Sequence, residues 1–404
     1  MTKSKYLILG GGMVAGYAAK EMVEQGLKAG ELSIISADNA IPYERPPLSK
    51  GFLAGKEEEK QIRINPEDFY REHGIDLKLG VQVEGVDVAK KVLRLQSGDE
   101  ASFEKLVIAT GAAVKTLDIR GANLSGIHYL RSLDDSKRIR AHADGAKRAV
   151  VAGSGFIAME VASVLAQKGI DTTMIVRDQR IWAKIFTPAM SHSFENYFAA
   201  RGVQFIKQAE VKEARGQSAL TSVVLNDQRS IECDLMVAGI GVRPVTDVVA
   251  KSGIEVGDGV VVNEYLETGV PGVYAAGDAA SYQDTLFDKR RRVEHWDNAV
   301  SQGQHCARAL LGERTPFVHV PYFFSDVFDL SYELWGDMTG ADEVVELGDL
   351  ASTSFSVWWL KQQRLVAAFT MNRPDEERNA APQWIESKRR LSASELREGK
   401  WPTG

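Results

Sequence analysis

Cysteine is nearly absent: Cys233 and Cys306 are the only two among 404 residues, and they lie far apart. Neither a Cys-x-x-Cys redox pair nor a disulfide framework can be built from them, and a reducing, cytoplasmic setting is the simplest fit. Long apolar runs are also missing. The N-terminal run at residues 6–9 gives way to glycines, which is too short for a signal-peptide core or a membrane span. No charge of one sign dominates, since 49 Lys and Arg against 55 Asp and Glu leave a formal charge of −6. The basic footprint of a nucleic-acid binder is therefore lacking, and no nucleic-acid partner is expected. What remains is ordinary globular composition, 44% apolar and 26% charged, over a length that suits two or three domains.

One plan occurs twice. Residues 5–16 (KYLILGGGMVAG) and residues 148–158 (RAVVAGSGFIA) each give a short apolar strand, a glycine turn and the start of a helix. A second apolar strand follows each helix, at residues 32–36 (LSIIS) and 172–176 (TTMIV), so each copy is a βαβ unit. Gly10 permits the tight bend, Gly12 lets backbone approach a pyrophosphate, and Ala15 or Gly16 lets helix and strand pack closely. Gly153, Gly155 and Ala158 correspond in the second copy. Each turn leaves a helix N-terminus, carrying about half a positive charge, facing the phosphates. Two dinucleotide sites in one chain imply FAD in one and a nicotinamide nucleotide in the other.

Further strands end in glycine turns: residues 105–112 (KLVIATGA), which include Ala109, Thr110 and Gly111, and residues 234–244 (DLMVAGIGVRP), which include Gly241. Residues 272–279 (GVYAAGDA) place Gly277 beside Asp278, a carboxylate suited to accept from the ribityl hydroxyls of a flavin. Residues 353–360 and 364–370 flank a short polar turn and read as a hairpin, a change of style from the βαβ units. The charged tail from Asp375 is helix-like and is expected to be a solvated face.

At this point the chain resembles the two-dinucleotide flavoprotein reductases, in the branch that contains bacterial ferredoxin reductases, monodehydroascorbate reductase and apoptosis-inducing factor. The resemblance is carried by GGGMVAGYAAKEM (10–22), PYERPPLSKGFLAG (42–55), IATGA (108–112), AGSGFIAMEVA (152–162), GVYAAGDAA (272–280), RRVEHWDNAVSQGQ (291–304) and PYFFSDVFDLSYELWGD (321–337). It implies an α/β fold with two Rossmann-like, glutathione-reductase-like dinucleotide domains and a C-terminal α+β domain. Residues 1–112 and 242–318 would bind FAD, residues 113–241 NAD(P)H, and residues 319–404 would form the third domain.

The same resemblance assigns roles. Disulfide reductases of the superfamily carry a redox cysteine pair shortly after the second strand of the FAD unit, where this chain has PYERPPLSKG; electrons would therefore pass straight to an external acceptor. Lys50 is expected near the flavin N5, with Glu160 as its partner, a pair that would tune the flavin. Arg45 would contact the FAD pyrophosphate and Asp38 the adenosine ribose. Trp296 would lie near the isoalloxazine, with Glu294 and His295 where the nicotinamide arrives. Asp178 would favour NADH through the ribose 2′-hydroxyl, while Arg177 and Arg180 would favour the phosphate of NADPH; the balance leans to NADH.

For the acceptor, the first expectation is a ferredoxin-type iron–sulfur protein or another small one-electron acceptor, and the basic run 289–292 (KRRR) could steer an acidic one. The alternatives are monodehydroascorbate or a quinone, or a slow, NADH-responsive interaction protein like apoptosis-inducing factor. Monodehydroascorbate reductases have an arginine and a tyrosine where this chain has Val300 and Phe324, and ferredoxin reductases commonly have tryptophan at Phe324.

Overall fold

The computed structural model describes residues 2–399 and 401. The chain divides into two compact units, one of Met1–Arg45, Glu59–Ala113 and Arg243–Pro321, the other of Pro46–Glu58, Val114–Val242 and Tyr322–Gly404.

In the first unit, the apolar run at residues 6–9 lies in strand Thr2–Leu9, where Leu7 and Ile8 are wholly buried. Burial on both faces is the condition of a parallel strand covered on each side. The sheet runs Asp76–Lys78, Leu32–Ile35, Thr2–Leu9, Glu100–Ile108, all parallel. Glu100–Ile108 is flanked next by the antiparallel pair Val92–Leu95 and Val83–Asp87 along its first part, and by parallel Val273–Ala275 along its last. Leu9 is in register with Ile35 and Ile108, and Ile108 with Ala275. Level strand ends bring the turn 10–12, the loop 109–111 and the turn 276–278 out along one carboxyl edge, where ligands of open α/β sheets bind.

The close fit at this edge requires glycine. Gly10 has φ +121°, and a Cβ there would stand 2.1 Å from the carbonyl oxygen of Ala109. Helix Met13–Glu24 begins after the turn and packs on helix Trp296–Leu311 so tightly that a Cβ on Gly303 would meet the Val14 oxygen at 2.8 Å.

The second unit repeats the device. Its parallel sheet runs Val203–Lys207, Asp171–Val176, Arg148–Ala152, Leu235–Ala238, Ile127–His128. Gly153 has φ +133°, and a Cβ there would lie 2.3 Å from the Gly239 oxygen. A small antiparallel sheet, Val211–Gly216, Leu220–Leu225 and Ser230–Glu232, adjoins it. The expected hairpin is present as Ser354–Lys361 against Arg364–Met371, inside a five-stranded antiparallel sheet ordered Tyr322–Val327, Leu330–Gly336, Arg364–Met371, Ser354–Lys361, Glu343–Asp349. Aromatic side chains from both halves of this unit, Trp182, Phe186, Phe194, Tyr332 and Phe369, close one core. Among the described residues, no helix is long and apolar enough to cross a membrane.

The tail corrects the expectation of a solvated face. Helix Asp375–Glu386 buries Glu377, Ala380, Ala381, Trp384 and Ile385, a stripe at helical spacing inside a charged sequence. Glu377 is held by the Ser356 hydroxyl and by Arg373 Nε at 2.8 Å. Trp384 meets Trp358 with ring centroids 6.0 Å apart. We expect Trp384→Ala to lower stability by about 3–5 kcal/mol in urea unfolding, whereas exposed Glu386→Ala changes it by less than about 0.5 kcal/mol. Equal effects of the two would return the tail to the surface.

Candidate functional site

In the first unit, helix Met13–Glu24 starts at Gly12 with no side-chain cap, so its leading N–H groups stay available to a ligand. By contrast, Ser132 and Thr187 cap helices Leu133–Ala143 and Pro188–Ala199 with their own hydroxyls. The Arg45 guanidinium stands at this uncapped end, with Nη2 3.8 Å from where a Gly12 Cβ would be, and its Cζ lies 4.8 Å from the Tyr43 ring centroid. Donor fork, helix mouth and Cβ-free turn together fit a pyrophosphate. Ala15 is buried under the turn, as close helix–strand packing demands.

Asp38 lies just past strand Leu32–Ile35, where its Oδ2 accepts from Tyr43 Oη at 2.9 Å and its Oδ1 from Ala40 N at 3.1 Å. An ionised carboxylate has about four acceptor positions, so capacity remains for a diol. At the next strand end, Ala109 N donates to Leu9 O at 2.8 Å and Thr110 Oγ1 to Val245 O at 2.6 Å, while Gly111 takes φ +69°. Gly277 takes φ +72° and donates its N–H to Gln302 Oε1 at 2.8 Å, which sets Asp278 at the same edge. These residues fit the flavin nucleotide expected from the sequence.

His295 is the N-cap of helix Trp296–Leu311. Trp296 opens that helix and donates its indole N–H to Glu44 Oε2 at 2.5 Å, while Tyr17 Oη donates to Glu44 Oε1 at 2.6 Å. The two rings meet edge-on, with centroids 6.4 Å apart. Burial, reinforced by the Glu44 carboxylate, holds the Tyr17 phenol well above its usual range and so protonated. Sequence reasoning missed Glu44, although it stands inside PYERPP, and it missed Gln302.

The basic run is partly paired off. Arg290 Nη1 donates to the carbonyls of Ser281 (2.6 Å) and Val262 (2.9 Å), Arg291 pairs with buried Asp284 at 3.1 Å, and Arg292 pairs with Asp258 at 3.1 Å and with Glu294. Arg291 and Arg292 are thus paired with carboxylates within their own unit, Glu294 is spoken for by Arg292, and exposed Arg290 keeps its charge. Adjacent arginines in a sequence carry no sign of the acids that the fold brings to them.

In the second unit, helix Phe156–Gln167 likewise begins at an uncapped glycine, Gly155, with Ala158 buried against Gly239. A Cβ on Gly155 would meet nothing within 4 Å, so this turn is open where a pyrophosphate would lie. Gly241 takes φ +102° at the end of the neighbouring strand. Beyond strand Asp171–Val176, Arg177 is exposed and Asp178 half-buried. Arg180 is withdrawn from the expected phosphate-binding set, because its guanidinium donates to Phe186 O (2.7 Å), Ala183 O (2.9 Å) and Ser191 Oγ (2.9 Å).

The expected Lys50–Glu160 pair is formed. Lys50 Nζ lies 2.8 Å from Glu160 Oε1, and the Glu160 side chain is only 2% exposed. Two hydroxyls complete the carboxylate: Ser49 Oγ donates to Oε2 at 2.5 Å and Ser325 Oγ to Oε1 at 2.5 Å. Phe324 sits beside them, its ring centroid 5.2 Å from Lys50 Nζ. The short 3-10 turn Pro46–Ser49 presents Lys50, and Ser136 Oγ anchors it by donating to Leu48 O at 2.7 Å. The two serines were not legible, since no spacing links Ser49 or Ser325 to a glutamate on a distant helix.

Both cysteines are free and buried. Burial pushes the Cys233 thiol up to about 12 and raises the Cys306 thiol as well. Neither is a redox thiol, because the thiolate is the reactive form.

The family model described as pyridine nucleotide-disulphide oxidoreductase matches residues 4–303, and a reductase C-terminal model matches residues 322–402. Monodehydroascorbate reductase 4, peroxisomal, of Arabidopsis thaliana is 37% identical, the match covering 92% of this chain and 80% of that protein. Rubredoxin-NAD(+) reductase of Pseudomonas putida is 34% identical over 92% of this chain and 96% of the relative. Among solved structures, putidaredoxin reductase in its covalent complex with putidaredoxin superposes with a TM-score of 0.93 at 28% identity, covering 98% of this chain and 96% of that one. In the folded protein, a thiol reagent such as dithionitrobenzoate is expected to label neither Cys233 nor Cys306, and to label both after denaturation. Rapid labelling of the native protein would show a reactive thiol after all.

Proposed function

Because the chain belongs to the pyridine nucleotide-disulphide oxidoreductase family, we propose that it is an FAD-dependent NAD(P)H reductase that passes electrons to a ferredoxin-type iron–sulfur protein without a redox disulfide. FAD, when bound, supplies the chemistry of accepting a hydride and releasing electrons one at a time. The chain's own residues divide the remaining work. Residues 1–112 and 242–318 hold the flavin nucleotide: the Gly10–Gly12 turn and Arg45 take the pyrophosphate, Asp38 the ribose, and Asp278 the ribityl chain. Residues 113–241 hold the nicotinamide nucleotide through Gly153, Gly155 and the uncapped helix, and residues 319–404 form the third domain.

Lys50 serves the flavin as a fixed cation, and Glu160 keeps that cation oriented and offsets its desolvation. The observation that carries this reading is the 2.8 Å Lys50–Glu160 contact in a protein whose two thiols are both buried. The inert thiols also favour a cytoplasmic location. Between nicotinamide nucleotides the balance favours NADH, because Asp178 remains at the strand end while Arg180 is spent internally and leaves only Arg177 of the two arginines for a phosphate. A carboxylate bond to a ribose hydroxyl is worth roughly tenfold in binding, so Asp178→Ala should raise the KM for NADH about tenfold and leave that for NADPH little changed.

The iron–sulfur acceptor is supported by the full-length likeness to a reductase solved with putidaredoxin, a ferredoxin-type protein. The second reading, monodehydroascorbate reduction, is favoured by the 37% identity to a plant enzyme so named. Against it, Val300 and Phe324 stand where that branch has its proposed arginine and tyrosine. Purified protein should be yellow, bleach on anaerobic addition of NADH, and turn over faster with a small ferredoxin than with monodehydroascorbate. The reverse order would establish the second reading, a persistent reduced complex with little turnover would favour the interaction-protein alternative, and colourless material that stays so in excess FAD would end all three.

A further inference from the structure

Resting on the reading of Lys50 above, we infer that Ser49 and Ser325 are positioning residues that complete the hydrogen bonds of the Glu160 carboxylate and keep it aimed at Lys50. Glu160 is nearly excluded from water, and a buried carboxylate is tolerated only when its oxygens are satisfied. Lys50 alone leaves most of the acceptor capacity of the two oxygens unmet. Ser49 and Ser325 supply the difference, one on each oxygen, and both serines are themselves buried, at 1% and 0% exposure. The Ser49 proton has little other use. The alternative acceptor of Ser49 is the Pro46 oxygen at 3.4 Å, much longer than its 2.5 Å contact with Glu160.

The arrangement is built by two periodicities that meet. Phe156, Glu160 and Ser163 share one stripe of helix Phe156–Gln167, at i, i+4 and i+7. Phe323 and Ser325 share one face of strand Tyr322–Val327. The two lie along each other: Phe156 and Phe323 rings meet with centroids 3.8 Å apart, Ser325 reaches Glu160, and Phe328 N donates to Ser163 Oγ at 2.6 Å. A contact above and one below therefore fix the height at which Ser325 meets the carboxylate. Ser49 comes from the turn that presents Lys50, so the same short segment delivers both the cation and the second hydroxyl. The C-terminal strand thus supplies a group to the ion pair as well as covering the core.

The test is potentiometry of the flavin-loaded protein for Ser49→Ala, Ser325→Ala, the double variant, Ser325→Thr and Glu160→Gln. Equal flavin content and a single cooperative unfolding transition serve as the check that each is folded. Each alanine variant should displace the flavin midpoint potential in the direction that Glu160→Gln does, by less, with the double variant approaching it. The rate of flavin reduction by NADH should fall about tenfold in each, the cost of one charged hydrogen bond. Ser325→Thr, which keeps the hydroxyl, should restore the parental potential. Parental potentials in both alanine variants, with Glu160→Gln displaced, would reduce the serines to packing and overturn the inference while the ion-pair reading stands. A parental potential in Glu160→Gln would overturn that reading first, and the inference with it.

Discussion

The backbone contact between each glycine turn and the neighbouring strand end is the constraint on which the rest of the molecule depends. At Gly10 and at Gly153 the chain passes so near a carbonyl of the adjacent strand that a single Cβ would overlap it. This proximity is possible only because the parallel strands end level, and it leaves an uncapped helix N-terminus directly above the sheet edge. An N-terminus stripped of side-chain caps is electrostatically unsatisfied until an anion arrives. Fold and ligand class are therefore one statement here, made twice in the same chain.

A different economy governs Lys50 and Glu160. Removing one partner of a buried pair costs about 3–5 kcal/mol, because it strands the other charge. A protein that merely needed stability could have used apolar side chains of similar size. Retaining a buried carboxylate with three donors around it makes sense where a cation must be held in one place with its charge intact, which is what a redox-active ring demands of its surroundings. The Glu44 clamp follows the same logic in the other unit: a single carboxylate, accepting from Tyr17 and Trp296, ties two aromatic side chains together.

Much of this was legible in the sequence, for reasons that can be stated. Apolar strands, glycine turns and helical stripes are local patterns, so both βαβ units and the C-terminal hairpin were visible in 404 letters. Lys50 and Glu160 were visible only through resemblance, since no local pattern links a loop lysine to a distant helix. Ser49, Ser325, Glu44 and Gln302 were not visible, because their roles are created by approaches between segments far apart in the chain. The tail was misread because charged residues near Asp375 look solvated in a linear sequence, yet the tail helix carries a buried stripe.

The pairing of Arg291 and Arg292 within the basic run weakens its outward charge and sharpens the acceptor problem. Charge steering raises encounter rates only when the charge faces solvent, and here the charges of Arg291 and Arg292 are offset by Asp284, Asp258 and Glu294, whereas exposed Arg290, bonded to neutral carbonyls, keeps its charge. A protein of net charge −6 would then repel a strongly acidic partner at long range unless a local patch overcomes it. At about 8 Å of screening length under physiological salt, net charge counts for little once the two surfaces are near contact. Selection among acceptors must therefore rest on short-range shape and on the few residues at the electron exit. On the proposed reading Phe324, whose ring lies beside Lys50, is one such residue.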